Sequence, residues 1–433
     1  MKKLFIAFMM IAAALTSCGT KTDQNTKNKG CNLSPVEKYG ALQVKGLQLS
    51  DKDGNPVQLA GMSTAGLHWF PNCYTRESIE ALVKDWNINV LRLANYVPER
   101  GAGSAMPVYN DDPEGMRNFI SQIVDWCEEF GIYVMIDWHV LTPGNPLAPE
   151  YAGAEDFFRY FATKYAGKPH VIYEICNEPN NCQLKDNKEE PWKCTKEQNV
   201  TWEIIAEYAN KVIPIIHAAY DEVNAPKPII VVGTPQWCQL VDAPLKVGRY
   251  QGNGKDLSDP LPDRDATLKY DNIMYTFHFY AAEHNEGFRQ KEYKEKNGKC
   301  VEEVNKMFYY NMYKYMDEVL GKLPVFCTEW GIARADGDGF MDTNRADAWL
   351  HMFSGKNKGN QKVSWVNWSY NDKHELISAL EEGACAKQAW SDVTVSGDYA
   401  KRAITVVNTG KPDCKVFREE SRINLERYLQ LNW

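Results

Sequence analysis

Eight short apolar runs recur along this chain, and helical patterns separate most of them. They read "VQLAGMS", "INVLRLANY", "IYVMIDWHV", "VIYEICNEP", "PIIVVGTP", "NIMYTFHFY", "LPVFCTEWG" and "VSWVNWSY". Most are rich in Val, Ile, Phe, Tyr or Trp, as buried strands are. Between them lie helix-like segments such as "RESIEALVKDW", "EGMRNFISQIVDWCEEFG", "EDFFRYFATKYAG", "WEIIAEYANKVIPIIHAAY", "VEEVNKMFYYNMYKYMDEVLG" and "NRADAWLHMFSG". Alternation of this kind requires parallel strands with right-handed crossovers. Eight units in one chain of 433 residues predict an α/β fold closed as a (β/α)8 barrel. No Gly-rich phosphate loop follows the first run, which argues against an open nucleotide-binding sheet. The stretch "LQVKGLQLSDKDGNPVQLAGMS" has apolar runs around Asp53-Gly54 and predicts a small N-terminal β-hairpin. Residues 405–433 are expected to form a final helix and a tail.

Within "VIYEICNEPN", residues 171–180, an apolar run leads into Asn177-Glu178-Pro179. Pro179 has no N–H for a ladder, so it stops the strand and leaves Glu178 at its C-terminal lip. A parallel barrel gathers its chemistry at that lip. The other runs deliver Arg92 and Tyr96, His139, His278 and Tyr280, Glu329, and Trp368 to the same face. Two convergent carboxylates point to glycoside hydrolysis or another acid/base reaction, with one group protonated and the other ionised. A permanent cation, Arg92, would favour ionisation of whichever Glu it touches. Residue type alone leaves open which Glu that is. Trp368 suits the apolar face of a sugar. A net charge of -8 provides no basic footprint for nucleic acid. No Cys or His cluster has zinc spacing, so neither a metal nor an organic cofactor is expected.

The N-terminus reads as a targeting segment. Lys2 and Lys3 precede "LFIAFMMIAAAL", and "LTSC" ends at Cys18. A basic start, a short apolar core and small residues describe a secretory signal rather than a membrane span. Leu15-Thr16-Ser17-Cys18 resembles a bacterial lipobox, which implies cleavage before Cys18 and lipidation of its thiol. The expected organisation is a signal peptide over 1–17, a polar tether over 18–35 and a catalytic domain over 36–433. Localisation is then that of an exported lipoprotein on the outer membrane, at its periplasmic or cell-surface face. Of twelve cysteines, losing Cys18 to lipid leaves eleven, so at least one is expected to be free. Cys176 and Cys327 fall within strand patterns and are expected to be buried. Cys182 and Cys194 bracket a polar loop and are the expected disulfide.

The motifs "VIYEICNEPN", "GIYVMIDWHVL", "VFCTEWG" and "VNWSYNDKHELISAL" together resemble glycoside hydrolase family 5, in its bacterial endo-β-1,4-glucanase branch. The resemblance runs from about residue 36 to about 405. It implies a (β/α)8 barrel and a retaining double displacement. It assigns Glu178 as acid/base and Glu329 as nucleophile. It implies that Asn177 holds a substrate hydroxyl and that Arg92 and Tyr280 keep the nucleophile charged and aligned. His139 and His278 match pocket histidines at the cleavage site and Trp368 the stacking platform there; Tyr96, from its strand end, is expected beside them as a substrate-binding residue. Lys373 and Glu375 match groups that bind sugar farther along the cleft, Trp69 a distal stacking residue, and Trp237 one on the leaving-group side. The chain departs from the family in "STAGLHW", where Ala65 stands at the usual histidine position and His68 at a glutamine. Implied partners are a β-glucan polysaccharide or oligosaccharide, and a membrane only through the lipid anchor, with the protein a monomer. Rival readings are a β-mannanase or xyloglucanase on the same barrel, or a non-catalytic polysaccharide-binding lipoprotein.

Overall fold

Each of the eight apolar runs forms a strand, and every strand pairs in parallel with the next. In this computed structural model the described residues are 33–101, 103–183, 195–196, 199–249, 261–286, 288–296 and 299–431. A hairpin of β1 (Gln43–Lys45) and β2 (Gln48–Ser50) comes first. The barrel strands are β3 (Ala60–Thr64), β4 (Val90–Tyr96), β5 (Tyr133–His139), β6 (Val171–Glu174) and β7 (Ile230–Val232). They continue as β8 (Ile273–Tyr280), β9 (Val325–Gly331) and β10 (Ser364–Tyr370), and β10 closes onto β3. The main helices are α1 (Arg76–Trp86), α2 (Pro113–Phe130), α3 (Ala154–Tyr165), α4 (Trp202–Glu222), α5 (Met312–Leu320) and α6 (Thr343–Phe353). After β10 come α7 (Val395–Thr409) and α8 (Glu419–Gln430).

Strand alternation divides the side chains between two environments. Leu91, Leu93, Val134, Ile136 and Tyr173 face outward into the helix layer. Val90, Met135, Ile172, Val231, Met274, Phe326 and Val366 face inward, and Leu42, Leu49, Val57 and Leu59 of the N-terminal segment pack beneath them. That apolar plug closes the lower end, so polar groups can accumulate only above it. A register irregularity between β8 and β9 sets the most important side chain. Thr276 pairs with Phe326 but His278 pairs with Glu329, so β9 carries an extra residue. Thr328 and Glu329 therefore both face the interior, where strict alternation would turn Glu329 outward.

Three expectations are corrected. The hairpin turn is at Gly46-Leu47, with Gly46 at φ +64°, and not at Asp53-Gly54. Around Gly54 only a single Ser50–Pro56 bridge forms, because Pro56 lacks the donor that would extend it. The helix expected over 301–321 begins at Met312, with Asn311 capping it through Lys314 N–H; residues 299–310 instead pair antiparallel with Phe288–Lys296. Val301, Val304 and the aromatic run 308–310 favour that extended form. The C-terminal segment is two helices, α7 starting at Val395 behind the Thr394 cap, rather than one helix from 405. At the other end, Ser34 caps a short helix, Pro35–Tyr39. Residues 1–32, and Cys18 with them, lie outside the described residues.

Candidate active site

Above the apolar plug the barrel interior holds a ring of charge. Arg92, third residue of β4, is fully buried. Its Nε donates to Glu174 at 2.5 Å, and its Nη2 to Asp137 at 3.2 Å and to Asn177 Oδ1 at 2.5 Å. Its Nη1 donates to Ser63 at 3.2 Å and to Glu329 at 3.4 Å. Asp137 and Glu174 are register partners on β5 and β6. Burial pushes both carboxyls up to about 7, with Arg92 opposing the shift. Arg92 is the shared counter-charge of both carboxyls.

Asn177 converts this charge into a fixed imidazole. Arg92 can only donate, so Asn177 must present Oδ1 to it and Nδ2 elsewhere. Nδ2 donates to His139 Nε2 at 3.1 Å and to the Val140 carbonyl at 3.2 Å. His139 Nε2 is thereby the acceptor, and Nδ1–H donates to Asp137 at 2.6 Å. Burial holds His139 well below the usual histidine range, so the ring is neutral.

A second carboxyl pair lies one layer higher and opens to a cleft of about 360 Å³. Glu329 Oε1 accepts from Tyr280 Oη at 2.6 Å, and Oε2 accepts from Arg92. Glu178, beyond the end of β6, meets His278 Nδ1 at 2.7 Å. His278 Nε2 rests on Thr328 Oγ1 at 2.9 Å, and burial brings this ring down to about 4. One carboxylate oxygen of Glu178 and one of Glu329 lie within 4.8 Å of each other and of a His278 nitrogen. Burial pushes both carboxyls up to about 7. Their partners differ: Glu329 receives a cation and a phenol, which favour its ionised form, while Glu178 has a neutral imidazole. These direct contacts distinguish the two carboxyls.

The cleft is lined by Tyr96, His139, Glu178, Trp237, His278, Tyr280, Glu329 and Trp368, all expected from the sequence. It is also lined by Leu141, Gln239, Glu283, His284 and Ala335, which were not. A run of aromatic rings lies along one side: Trp368 stacks on His139 at 5.9 Å, His139 meets Tyr96 at 3.9 Å at a tilt, and Tyr96 meets Trp69 at 4.6 Å at a steeper tilt. Trp69 touches Tyr96 but does not itself line the cleft. Asn177 and Arg92 are completely buried beneath the cleft. Lys373 and Glu375 pair with each other and do not line it. His68 is buried behind Trp69, ring centroids 4.3 Å apart, and burial lowers it to about 4; Ala65 N–H donates to the Tyr74 hydroxyl. Among the described residues, Glu178, His278 and Glu329 are close enough to share a cation, but each is hydrogen-bonded within the site.

Residues 50–374 match a family model described as cellulase, glycosyl hydrolase family 5. The chain belongs to glycosyl hydrolase family 5. It is 33% identical over 371 residues to endoglucanase E-5 of Thermobifida fusca, covering 85% of this chain and 64% of that relative, under two thirds of its length. Among solved structures, Cellulase Cel5C_n matches with a TM-score of 0.65 at 35% identity, covering 90% of this chain and 96% of that one. A variant of the Thermobifida fusca endoglucanase Cel5A catalytic domain, in complex with cellotetraose, matches at 0.63 and 30% identity, covering 86% of this chain and 99% of that one. The barrel of this family 5 chain carries a disulfide that the sequence did not suggest. Cys73, after β3, bonds to Cys385, after β10. Cys194 of the expected Cys182–Cys194 pair lies outside the described residues. Cys176 and Cys327 are buried free thiols, as are Cys127 and Cys238, while Cys414 is free and exposed.

Proposed function

We propose that this protein is an endo-acting β-1,4-glucanase that works by retaining double displacement. The observation that carries this reading is the short gap, within 4.8 Å, between oxygens of Glu178 and Glu329. Retaining glycosidases hold their carboxyls about 5–5.5 Å apart, because the second attacks the sugar directly and no water stands between. Glu329 Oε attacks the anomeric carbon while Glu178 gives its proton to the departing glycosidic oxygen. A glycosyl ester on Glu329 results. Glu178, now ionised, takes a proton from water, which attacks the anomeric carbon and releases Glu329. Tyr280 and Arg92 hold Glu329 charged and aimed. Asn177 sits under the cleft, where it holds the His139 ring that lines it. Trp368 and Trp237 offer apolar faces to successive sugars.

A β-1,4-glucan is the favoured substrate because the family 5 relatives are named as endoglucanases and one was solved with cellotetraose. Reducing-end release should be greatest on carboxymethylcellulose, compared with glucomannan and xyloglucan. Greater release on either of the others transfers the activity to a mannanase or xyloglucanase, and none on all three favours a binding protein. An α-configured first product by NMR would sink the retaining mechanism. We further propose export and lipid anchoring at Cys18, motivated by "LTSC". Cys18→Ser should move the protein from the membrane to the soluble fraction, since the thiol that would carry the lipid is gone. Unchanged partition would refute the anchor.

A further inference from the structure

We infer that Cys238 is a positioning residue for Glu178, acting through the left-handed turn Pro235–Cys238; this rests on reading Glu178 as the proton donor. Strand β6 ends at Glu174, yet the chain stays buried as far as Asn177, so every polar group on the way needs a partner. Ile175 N–H donates to the Val231 carbonyl at 3.0 Å, and its carbonyl accepts from the Tyr208 hydroxyl at 2.7 Å. Glu178 N–H donates to the Val140 carbonyl at 2.9 Å, and its own carbonyl accepts from Asn180 Nδ2 at 2.7 Å. Pro179 has no N–H, and its carbonyl accepts from Trp237 N–H at 3.2 Å. The carbonyl of Asn177, in the peptide that leads into Glu178, faces Cys238 Sγ at 2.8 Å.

The sulfur is oriented for that role. Thr234 N–H donates to Sγ at 3.4 Å, which leaves the S–H to point at the Asn177 carbonyl. Burial holds the thiol well above its usual range, so it stays a donor. The turn that carries it is strained: Gln236, Trp237 and Cys238 have φ of 61°, 51° and 59°, and none is glycine. L-residues adopt that region reluctantly, so neighbouring contacts must hold it. Contact with the acid's segment is close. A Cβ on Gly233 would lie 2.2 Å from the Cys176 carbonyl oxygen and 2.9 Å from that of Asn177. Trp237 and Gln239 of this region line the cleft. One turn thus fixes both the backbone of the proton donor and a wall of the cleft beside it.

Aryl β-cellobiosides of graded leaving-group acidity test this, with Glu178→Gln as reference. Cys238→Ala removes the donor, Cys238→Gly removes it while favouring the left-handed backbone, and Cys238→Ser keeps a donor. Misplacement of the acid should lower kcat/KM about 10-fold or more on phenyl β-cellobioside and cellotetraose. On 2,4-dinitrophenyl β-cellobioside, whose leaving group needs no proton, the loss should stay within about 2-fold. Cys238→Ser should stay within about 2-fold on all of them. Cys238→Gly decides the matter if Cys238→Ala does not fold. A loss uniform across leaving groups, no loss, or failure of the serine to rescue overturns the proposal. If Glu178→Gln itself loses activity uniformly, the acid assignment falls, and the role of Cys238 with it. If Glu178→Gln is leaving-group dependent and the Cys238 variants are not, only the role of Cys238 falls.

Discussion

Four carboxyls stand in two layers inside the same barrel, and they differ in what they can do. Asp137 and Glu174 lie in the lower layer, fully buried, and both accept from Arg92. Glu178 and Glu329 lie above and open to the cleft. Burial lifts all four to about 7. A raised carboxyl pKa therefore does not mark the reacting pair in this protein. The difference lies in access and partners: the lower pair does not line the cleft and is paired with Arg92. Arg92 serves both layers, neutralising the lower and reaching Glu329 in the upper. The lower layer functions as a charged foundation for the upper one.

If that division holds, the largest effects belong to the upper pair. Glu329→Gln should lower kcat/KM by roughly 10⁴-fold or more on every substrate, because no glycosyl ester can form. Glu178→Gln should lower it by about 10²–10⁴-fold on glucan oligomers. With an activated aryl glycoside the first step should survive, and azide should restore turnover and give a β-glycosyl azide. Azide should not rescue Glu329→Gln. Equal losses on all substrates in both variants would erase the distinction between acid and nucleophile.

Next in size is an effect on stability, and it belongs to the lower layer. Arg92→Met leaves buried carboxyls without their cation. A buried pair broken on one side is destabilised by about 3–5 kcal/mol. Urea unfolding at pH 8 should show that loss. At pH 5 it should shrink, because carboxyls with raised pKa are neutral there and no longer need the cation. A pH-independent loss would mean that Arg92 acts mainly through packing.

The sequence made these layers unequally legible. The eight strands and Glu178 and Glu329 were readable because periodicity and strand ends are local signals. Asp137 and Glu174 were overlooked although a signal existed: each is a lone acid within an otherwise apolar strand, in "VMIDWHV" and "VIYEIC". Such an acid needs a buried cation, and Arg92 in "VLRLANY" is the same kind of exception. The extra residue in β9 that turns Glu329 inward leaves no mark in "VFCTEWG", because register depends on the neighbouring strand. Cys73 and Cys385 are 312 residues apart, and only barrel closure brings them together. The Cys238 contact depends on a turn whose positive φ values fall on Gln, Trp and Cys, where composition predicts none.

The smallest expected effect tests whether the layers communicate. The negative charge of Glu174 raises the pKa of Glu178, after burial and against Arg92. On Glu329 burial acts most, and Glu178, Arg92 and Tyr280 each act more than Glu174 does. Glu174→Gln keeps the shape and removes the charge. Glu178 should then lose its proton at lower pH. In a retaining enzyme the acid limb of kcat/KM follows ionisation of the nucleophile, and the alkaline limb follows loss of the acid's proton. The alkaline limb should therefore move toward lower pH while the acid limb stays in place, narrowing the profile. The shift should be less than about one pH unit, since Glu174 acts on Glu178 less than burial and Arg92 do. The measurement is kcat/KM on cellotetraose from pH 4 to 9, for the wild type and Glu174→Gln. Movement of both limbs together would mean that Glu174 acts on the site through Arg92 as a whole. An unmoved profile would mean that the lower layer positions the upper one without tuning its charge.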